Sequence, residues 1–318
     1  MGQPKGAASG LTPALAPRMS VRPLAMLRDL LDELRRHDSG LWRRAVHAGV
    51  TRGPDALSRY SPPLFGLAFA AALPKQRRAV QRALRLALGP RSAAREAVDV
   101  ARVFTNYASC LTEAFIVGSD RGDRLKARCI NDAYFSGPFT ERRGVILATA
   151  HTGGWQVAGP VLRGGHDARL LLVMRRERDE GAQAVQAALR EREGIRVAYL
   201  GEDPLDALPL LGHLRGGGVV AVQMDRLPQG MRGRKGELFG APWSVPEGPL
   251  RLAALSGAPI VPVFTRRLGY MDYELELAPP IRLPRHPNNE DLDRAASALL
   301  YEMEKFVRAN PTQWFHFE

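Results

Sequence analysis

From residue 144 onward, short apolar runs alternate with segments of helical periodicity, and that rhythm restricts the chain to few architectures. Candidate strands at 145–150, 168–174, 196–200, 219–224 and 260–264 are separated by candidate helices at 155–163, 181–193, 205–215 and 247–256. Strands joined through helices pair in parallel by right-handed crossovers. The predicted class is therefore α/β, a mostly parallel central sheet flanked by helices. Tyr273-Glu274-Leu275-Glu276-Leu277 reads as an antiparallel addition, and a helix over 289–309 closes the fold. Upstream, residues 21–135 form a helical, basic N-terminal region, with apolar positions three and four apart in Leu24–Leu31 and Ala79–Leu88. Residues 1–20 are rich in Gly, Ala, Pro and Ser and read as a disordered N-terminus. Residues 21–318 then make one domain, helical over 21–135 and α/β over 136–318.

In such sheets chemistry collects at the carboxyl ends of strands. The block Ala148-Thr149-Ala150-His151-Thr152-Gly153-Gly154-Trp155-Gln156 presents a histidine there. The run from Val145 to Ala150 has buried-strand character, and the two glycines permit a tight positive-φ turn before a helix starting near Trp155. Gln156, five residues on, is within reach of the imidazole. An amide there fixes the ring tautomer but, unlike a carboxylate, does not stabilise the imidazolium formed when histidine acts as a base. Asp225 follows the strand ending at Met224, so it lies on the same rim and can converge with His151.

These residues carry a resemblance. The histidine block is similar to the motif of lipid A and lysophospholipid acyltransferases, in which a histidine is followed after four residues by an acid, with glutamine here in the acid position. Val222-Gln223-Met224-Asp225-Arg226 followed by Gly230, then Gly236 to Pro242, resembles that family's second conserved stretch, and Gly248–Ala253 through Gly257–Phe264 its third. With Asn310-Pro311-Thr312-Gln313-Trp314-Phe315 the likeness covers roughly residues 60–318. The resemblance implies His151 as general base, with Gln156 and Asp225 in the catalytic site. It also implies Arg175 or Arg176, at the end of the strand Leu170–Met174, together with Trp155, in substrate binding. The implied activity moves a fatty acyl chain from an acyl-carrier-protein or coenzyme A thioester, as co-substrate, to a hydroxyl or amine of a lipid or small-molecule acceptor. A catalytically degenerate relative that binds lipid or carrier protein without turnover is the alternative that Gln156 raises.

Composition narrows the partners. With 45 Lys plus Arg against 33 Asp plus Glu, the formal charge of +12 favours anionic partners such as phospholipid headgroups, acidic carrier proteins, nucleotides or nucleic acid, and charge does not choose among them. Without any nucleic-acid module, nucleic acid is not expected. Cys110 and Cys129 have no paired histidines nearby, so neither zinc nor a disulfide framework is expected, and no cofactor is called for. The longest apolar stretch, Leu64–Leu73, is about half the roughly 20 residues a membrane helix needs. A cytoplasmic enzyme, peripheral on the inner membrane, is the expectation. Arg232-Gly233-Arg234-Lys235-Gly236 reads as a flexible cationic loop, by itself a solvated surface, whose composition also suits phosphate groups. Pro246-Glu247-Gly248 reads as a helix start, and the other six histidines (His37, His47, His166, His213, His286 and His316) as structural.

Overall fold

The computed structural model describes residues 48–50, 52–141, 144–175, 195–200 and 204–318, all within one compact unit, Asp38–Glu318. The expectations for residues 1–20, for Leu24–Leu31, for the helix at 181–193 and for Arg176 lie outside the described residues.

After helical residues at 48–50 and 52 come four delimited helices: α1 (Asp55–Tyr60), α2 (Pro62–Ala72), α3 (Pro74–Leu88) and α4 (Ala93–Val117). The region expected to be wholly helical to residue 135 also contains a strand, β1 (Lys126–Ile130), before α5 (Ala133–Thr140). β1 was not apparent because its run Lys-Ala-Arg-Cys-Ile is mostly exposed at the sheet edge, so it carries no apolar signal. Then follow β2 (Val145–Thr149), a 3₁₀ turn Trp155–Val157, α6 (Ala158–His166), β3 (Leu170–Arg175), β4 (Arg196–Leu200), α7 (Leu208–Arg215) and β5 (Val219–Gln223). The chain finishes with β6 (Gly233–Leu238), β7 (Ala241–Pro246), α8 (Glu247–Ser256), β8 (Ile260–Gly269), β9 (Asp272–Leu277) and α9 (Asn289–Ala309).

Seven strands form one sheet in the order β1-β9-β8-β2-β5-β3-β4. All pairings are parallel except β8 with β9, the predicted antiparallel addition. The centre is buried on both faces. Alternate residues of β2 serve opposite layers: Val145 and Leu147 pack with Phe135 and Leu162 beneath α5 and α6, whereas Ile146 and Ala148 pack with Leu214, Leu250 and Leu299 beneath α7, α8 and α9. Complete burial of such a strand is why it reads as an unbroken apolar run. α9 is the best delimited helix, since Asn288 and Asp291 close a reciprocal capping box at its start.

The connections locate a switch point in the strand order. After β2 the chain crosses by α6 to β3 on one side, and after β5 it crosses by α8 to β8 on the other, so adjacent strands send their links in opposite directions. In open α/β sheets that reversal leaves a cleft outside the carboxyl ends of the two strands.

Candidate active site

β2 and β5 pair in register, with Thr149 opposite Gln223. Two residues further along each strand stand His151 and Asp225, and a bond from the Met224 amide to the Thr149 carbonyl (2.8 Å) carries the register past the strand ends. Asp225 Oδ1 lies 2.8 Å from His151 Nδ1. The aspartate side chain is fully buried, whereas that of the histidine is 25 % exposed. Burial works to raise the Asp225 carboxyl, but the His151 ring beside it and the Arg226 guanidinium outweigh that and hold the group below its ordinary range. Asp225 is therefore ionised at neutral pH. An ionised carboxylate can only accept, so Nδ1 carries the proton and Nε2 is left as the ring's basic nitrogen.

Glycine makes the His151 loop possible. Gly154 sits at φ +77°, and a Cβ on it would come within 2.1 Å of the Tyr273 ring; a Cβ on Gly153 would meet the Gln313 side chain at 2.0 Å. The predicted positive-φ turn thus rests on Gly154, while Gly153 allows the close approach. The segment is fastened from behind. Thr152 forms an isolated antiparallel bridge with Trp314, its hydroxyl accepts from the Thr265 amide (3.2 Å), and the Phe315 amide donates to the His151 carbonyl (2.7 Å).

Other residues singled out from the sequence fall around this pair. Trp155 meets the imidazole edge-on, with ring centroids 6.1 Å apart. Gln156 lies half-buried in the 3₁₀ turn Trp155–Val157, and the nitrogen it would orient is engaged by Asp225 from the neighbouring strand. Arg175 closes β3, the strand beside β5, so its backbone reaches the same rim.

The C-terminal segment contributes more than the sequence indicated. Trp314 Nε1 donates to Asp225 Oδ2 (3.2 Å), and Trp243 Nε1 donates to the Asp225 carbonyl (3.2 Å). His316, expected to be structural, stacks on Trp314 with centroids 5.1 Å apart; burial, then the charge of Arg226, push its pKa down. Arg226 ties the segment to the rim through the Phe315 carbonyl (2.5 Å) and Glu318 (2.9 Å). The available signal was the aromatic density of Trp314-Phe315-His316-Phe317, which composition alone does not connect to position 225.

The cationic loop is corrected. Residues 233–238 form β6, paired antiparallel with β7, and Arg234 is spent on Glu247 (2.8 Å) and Asn289 (2.9 Å). Glu247 does begin α8, as expected. It is also nearly buried, and bonds from Arg251 and Arg234 lower its pKa against the opposing effect of burial. Among the remaining histidines, His166 bonds Asp132 (2.8 Å) and His213 bonds the Arg169 carbonyl (2.7 Å), both away from the rim.

A mostly parallel α/β sheet that brings a histidine and a carboxylate together at its switch point is an arrangement chemically capable of moving a proton at that rim. The chain belongs to the bacterial lipid A biosynthesis acyltransferases: the profile of the family described as "Bacterial lipid A biosynthesis acyltransferase" matches residues 53–318. No curated protein matches the chain.

Proposed function

We propose that this acyltransferase moves a fatty acyl chain from a carrier-protein or coenzyme A thioester to a lipid hydroxyl or amine at a membrane surface, with His151 as general base. The observation that carries the reading is the 2.8 Å contact from Nδ1 to the buried Asp225, whose lowered pKa keeps it a carboxylate and so leaves Nε2 as the basic nitrogen of the ring. Nε2 takes the proton of the acceptor as its oxygen or nitrogen bonds to the thioester carbonyl carbon. The tetrahedral intermediate collapses with cleavage of the C–S bond, and the imidazolium returns the proton to the departing sulfur, giving an ester or amide and a free thiol. Asp225 stabilises the imidazolium through both steps, a service that an amide at position 156 does not provide. This division of labour favours turnover over a degenerate binding protein.

Two features support action at a membrane. Leu64 is 68 % exposed and Phe65 53 % exposed on α2, beside exposed Leu57, Tyr60 and Leu67 and near the exposed cations Arg59, Lys75, Arg77 and Arg78. An exposed apolar cluster bordered by cations suits insertion at an anionic interface. This cluster is also close to the rim in packing terms. Gly66 of α2 lies against the backbone of Phe104 and Thr105 on α4, and α4 holds the C-terminal segment through Tyr107 against Phe315 (5.3 Å) and Phe104 against Phe317 (5.2 Å). Among the described residues no helix is long and apolar enough to cross a membrane.

The test is thiol release and acylated-lipid formation from a dodecanoyl thioester of coenzyme A or carrier protein, in the presence of a bacterial lipid extract. His151→Ala lowers the rate about 10²- to 10⁴-fold, the usual contribution of a positioned base. Undiminished transfer by a folded His151→Ala protein removes the assignment.

A further inference from the structure

Asp225 has two carboxylate oxygens, and His151 uses one. The other, Oδ2, accepts from the indole of Trp314 at 3.2 Å in a fully buried setting. Trp314 does not arrive by chance of packing alone. Its backbone bridges Thr152, the residue after His151, and its neighbour Phe315 donates its amide to the His151 carbonyl at 2.7 Å. Its ring is held by His316, by Trp243 (centroids 5.9 Å) and by Phe239 (6.1 Å). One short segment thus grips both limbs of the acid–base pair, by main chain on the histidine side and by side chain on the aspartate side.

We propose that Trp314 is a positioning residue of the site, its indole N–H fixing the Asp225 carboxylate so that Oδ1 meets Nδ1 of His151 and holds the ring with Nε2 free for the acceptor. The inference rests on the reading of His151 as the base. A carboxylate oxygen without a donor in a sealed environment carries a desolvation penalty. A donor on Oδ2 removes that penalty, stops rotation of the carboxylate and tempers its basicity. Trp243 offers an internal contrast, because its N–H is bonded to the backbone carbonyl of Asp225 at 3.2 Å and not to the carboxylate. Among the described residues, the other titratable or charged groups facing the pair are Arg226, from the loop after β5, and His316, from the C-terminal segment, with Glu318 behind them on Arg226.

The experiment is a pH titration of the His151 ring nitrogens by ¹⁵N nuclear magnetic resonance on the full chain, the resonance being assigned with His151→Ala, in wild type, Trp314→Phe and Trp243→Phe. Phenylalanine keeps an aromatic ring and removes the donor. In Trp314→Phe the carboxylate becomes more basic and holds the imidazolium more tightly, so the His151 midpoint moves to higher pH. The acid limb of kcat/KM moves with it, and kcat falls about ten- to hundred-fold, the range of one hydrogen bond to a charged group, while KM for the thioester stays. In Trp243→Phe the midpoint stays at the wild-type value. A wild-type midpoint in folded Trp314→Phe, or an equal shift in both variants, overturns the proposal. Should Trp314→Phe fail to fold, the indole N–H resonance of Trp314 decides the matter. It moves upfield in Asp225→Asn if the bond to an ionised carboxylate is real, and its failure to move overturns the proposal. The titration needs no substrate, so a protein that shows the shift yet transfers no acyl group refutes the acyltransferase reading and leaves the positioning role standing.

Discussion

Glu113 and Asp225 are the two most deeply buried carboxylates among the described residues, and they are wired differently. Glu113, on α4, is surrounded by spent donors: Arg267 Nε at 2.9 Å and its Nη2 at 2.7 Å, the Tyr273 hydroxyl at 2.6 Å and the Met271 amide at 3.0 Å. Asp225 has a partner that is itself unfinished, since His151 gives Nδ1 to the acid and keeps a second nitrogen in a partly exposed ring. A saturated buried network fixes structure, whereas a network that ends in a reactive atom at the surface can pass its electrostatics on to a ligand. Glu113 stands in the first case and Asp225 in the second.

The contrast breaks most sharply on amide substitution. Asp225→Asn keeps shape and bonding capacity but gives the imidazole a neutral partner that can stabilise the wrong tautomer, so kcat drops about 10²- to 10⁴-fold, as in the corresponding change in a serine-protease triad. Glu113→Gln leaves the partly buried Arg267 guanidinium without its counter-charge and costs about 3 kcal/mol of unfolding free energy, with kcat per folded molecule changing far less. Denaturant unfolding and transfer kinetics on both variants check this. Equal stability losses with equal rate losses would erase the distinction.

The two regions touch through one ring, because Tyr273 bonds Glu113 with its hydroxyl and lies against Gly154 with its edge. Gly154→Ala places a methyl group 2.1 Å from that ring at φ +77°, where non-glycine residues are strained. A destabilisation of about 2–4 kcal/mol follows, with loss of transfer activity as the His151 loop shifts. Gly248→Ala in α8 is the matched control, since nothing lies within 4 Å of its added methyl group and a helical position gains about 0.5–1 kcal/mol from alanine. Thermal melts of the two variants should move in opposite directions.

What the sequence disclosed follows from where its signals are local. The buried parallel strands, the histidine at a strand end and the long amphipathic helix Asn289–Ala309 each announce themselves through a run, a turn residue or a period. β1 did not, because an exposed edge strand need not be apolar. The β6–β7 hairpin did not either: its turn places Phe239 at φ +56° and Gly240 at +76°, a geometry usually signalled by Asn-Gly. Here tertiary packing imposes it, with the Phe239 ring against Trp314 (6.1 Å) and its amide donating to Glu304 (2.5 Å). At the site, position 156 drew notice because it stands in a known spacing. The contact to Nδ1 instead comes from a strand 74 residues away in sequence, and Trp314 meets Asp225 across 89 residues. The strand-end position of Asp225 already pointed to the first contact, whereas spacing is blind to the second until the strand order is known.

A third acid extends the comparison to a milder case. Glu96 on α4 accepts from Arg85 (2.7 Å), Gln81 (2.7 Å) and the Arg91 amide (3.4 Å), and these bonds, led by Arg85, lower its pKa from 4.5 to about 2. Its folded pKa lies below the unfolded one. The stability it contributes is therefore fully present above about pH 4.5 and is lost as the pH falls toward 2. The gap in melting temperature between wild type and Glu96→Gln should thus be constant above pH 5, narrow between about pH 4.5 and 2, and vanish below. Arg85 is largely exposed, so the gap should also shrink in high salt, whereas that of Glu113→Gln, whose carboxylate is buried, should not. A Glu96 gap independent of both pH and salt would mean that shape, not charge, joins α3 to α4.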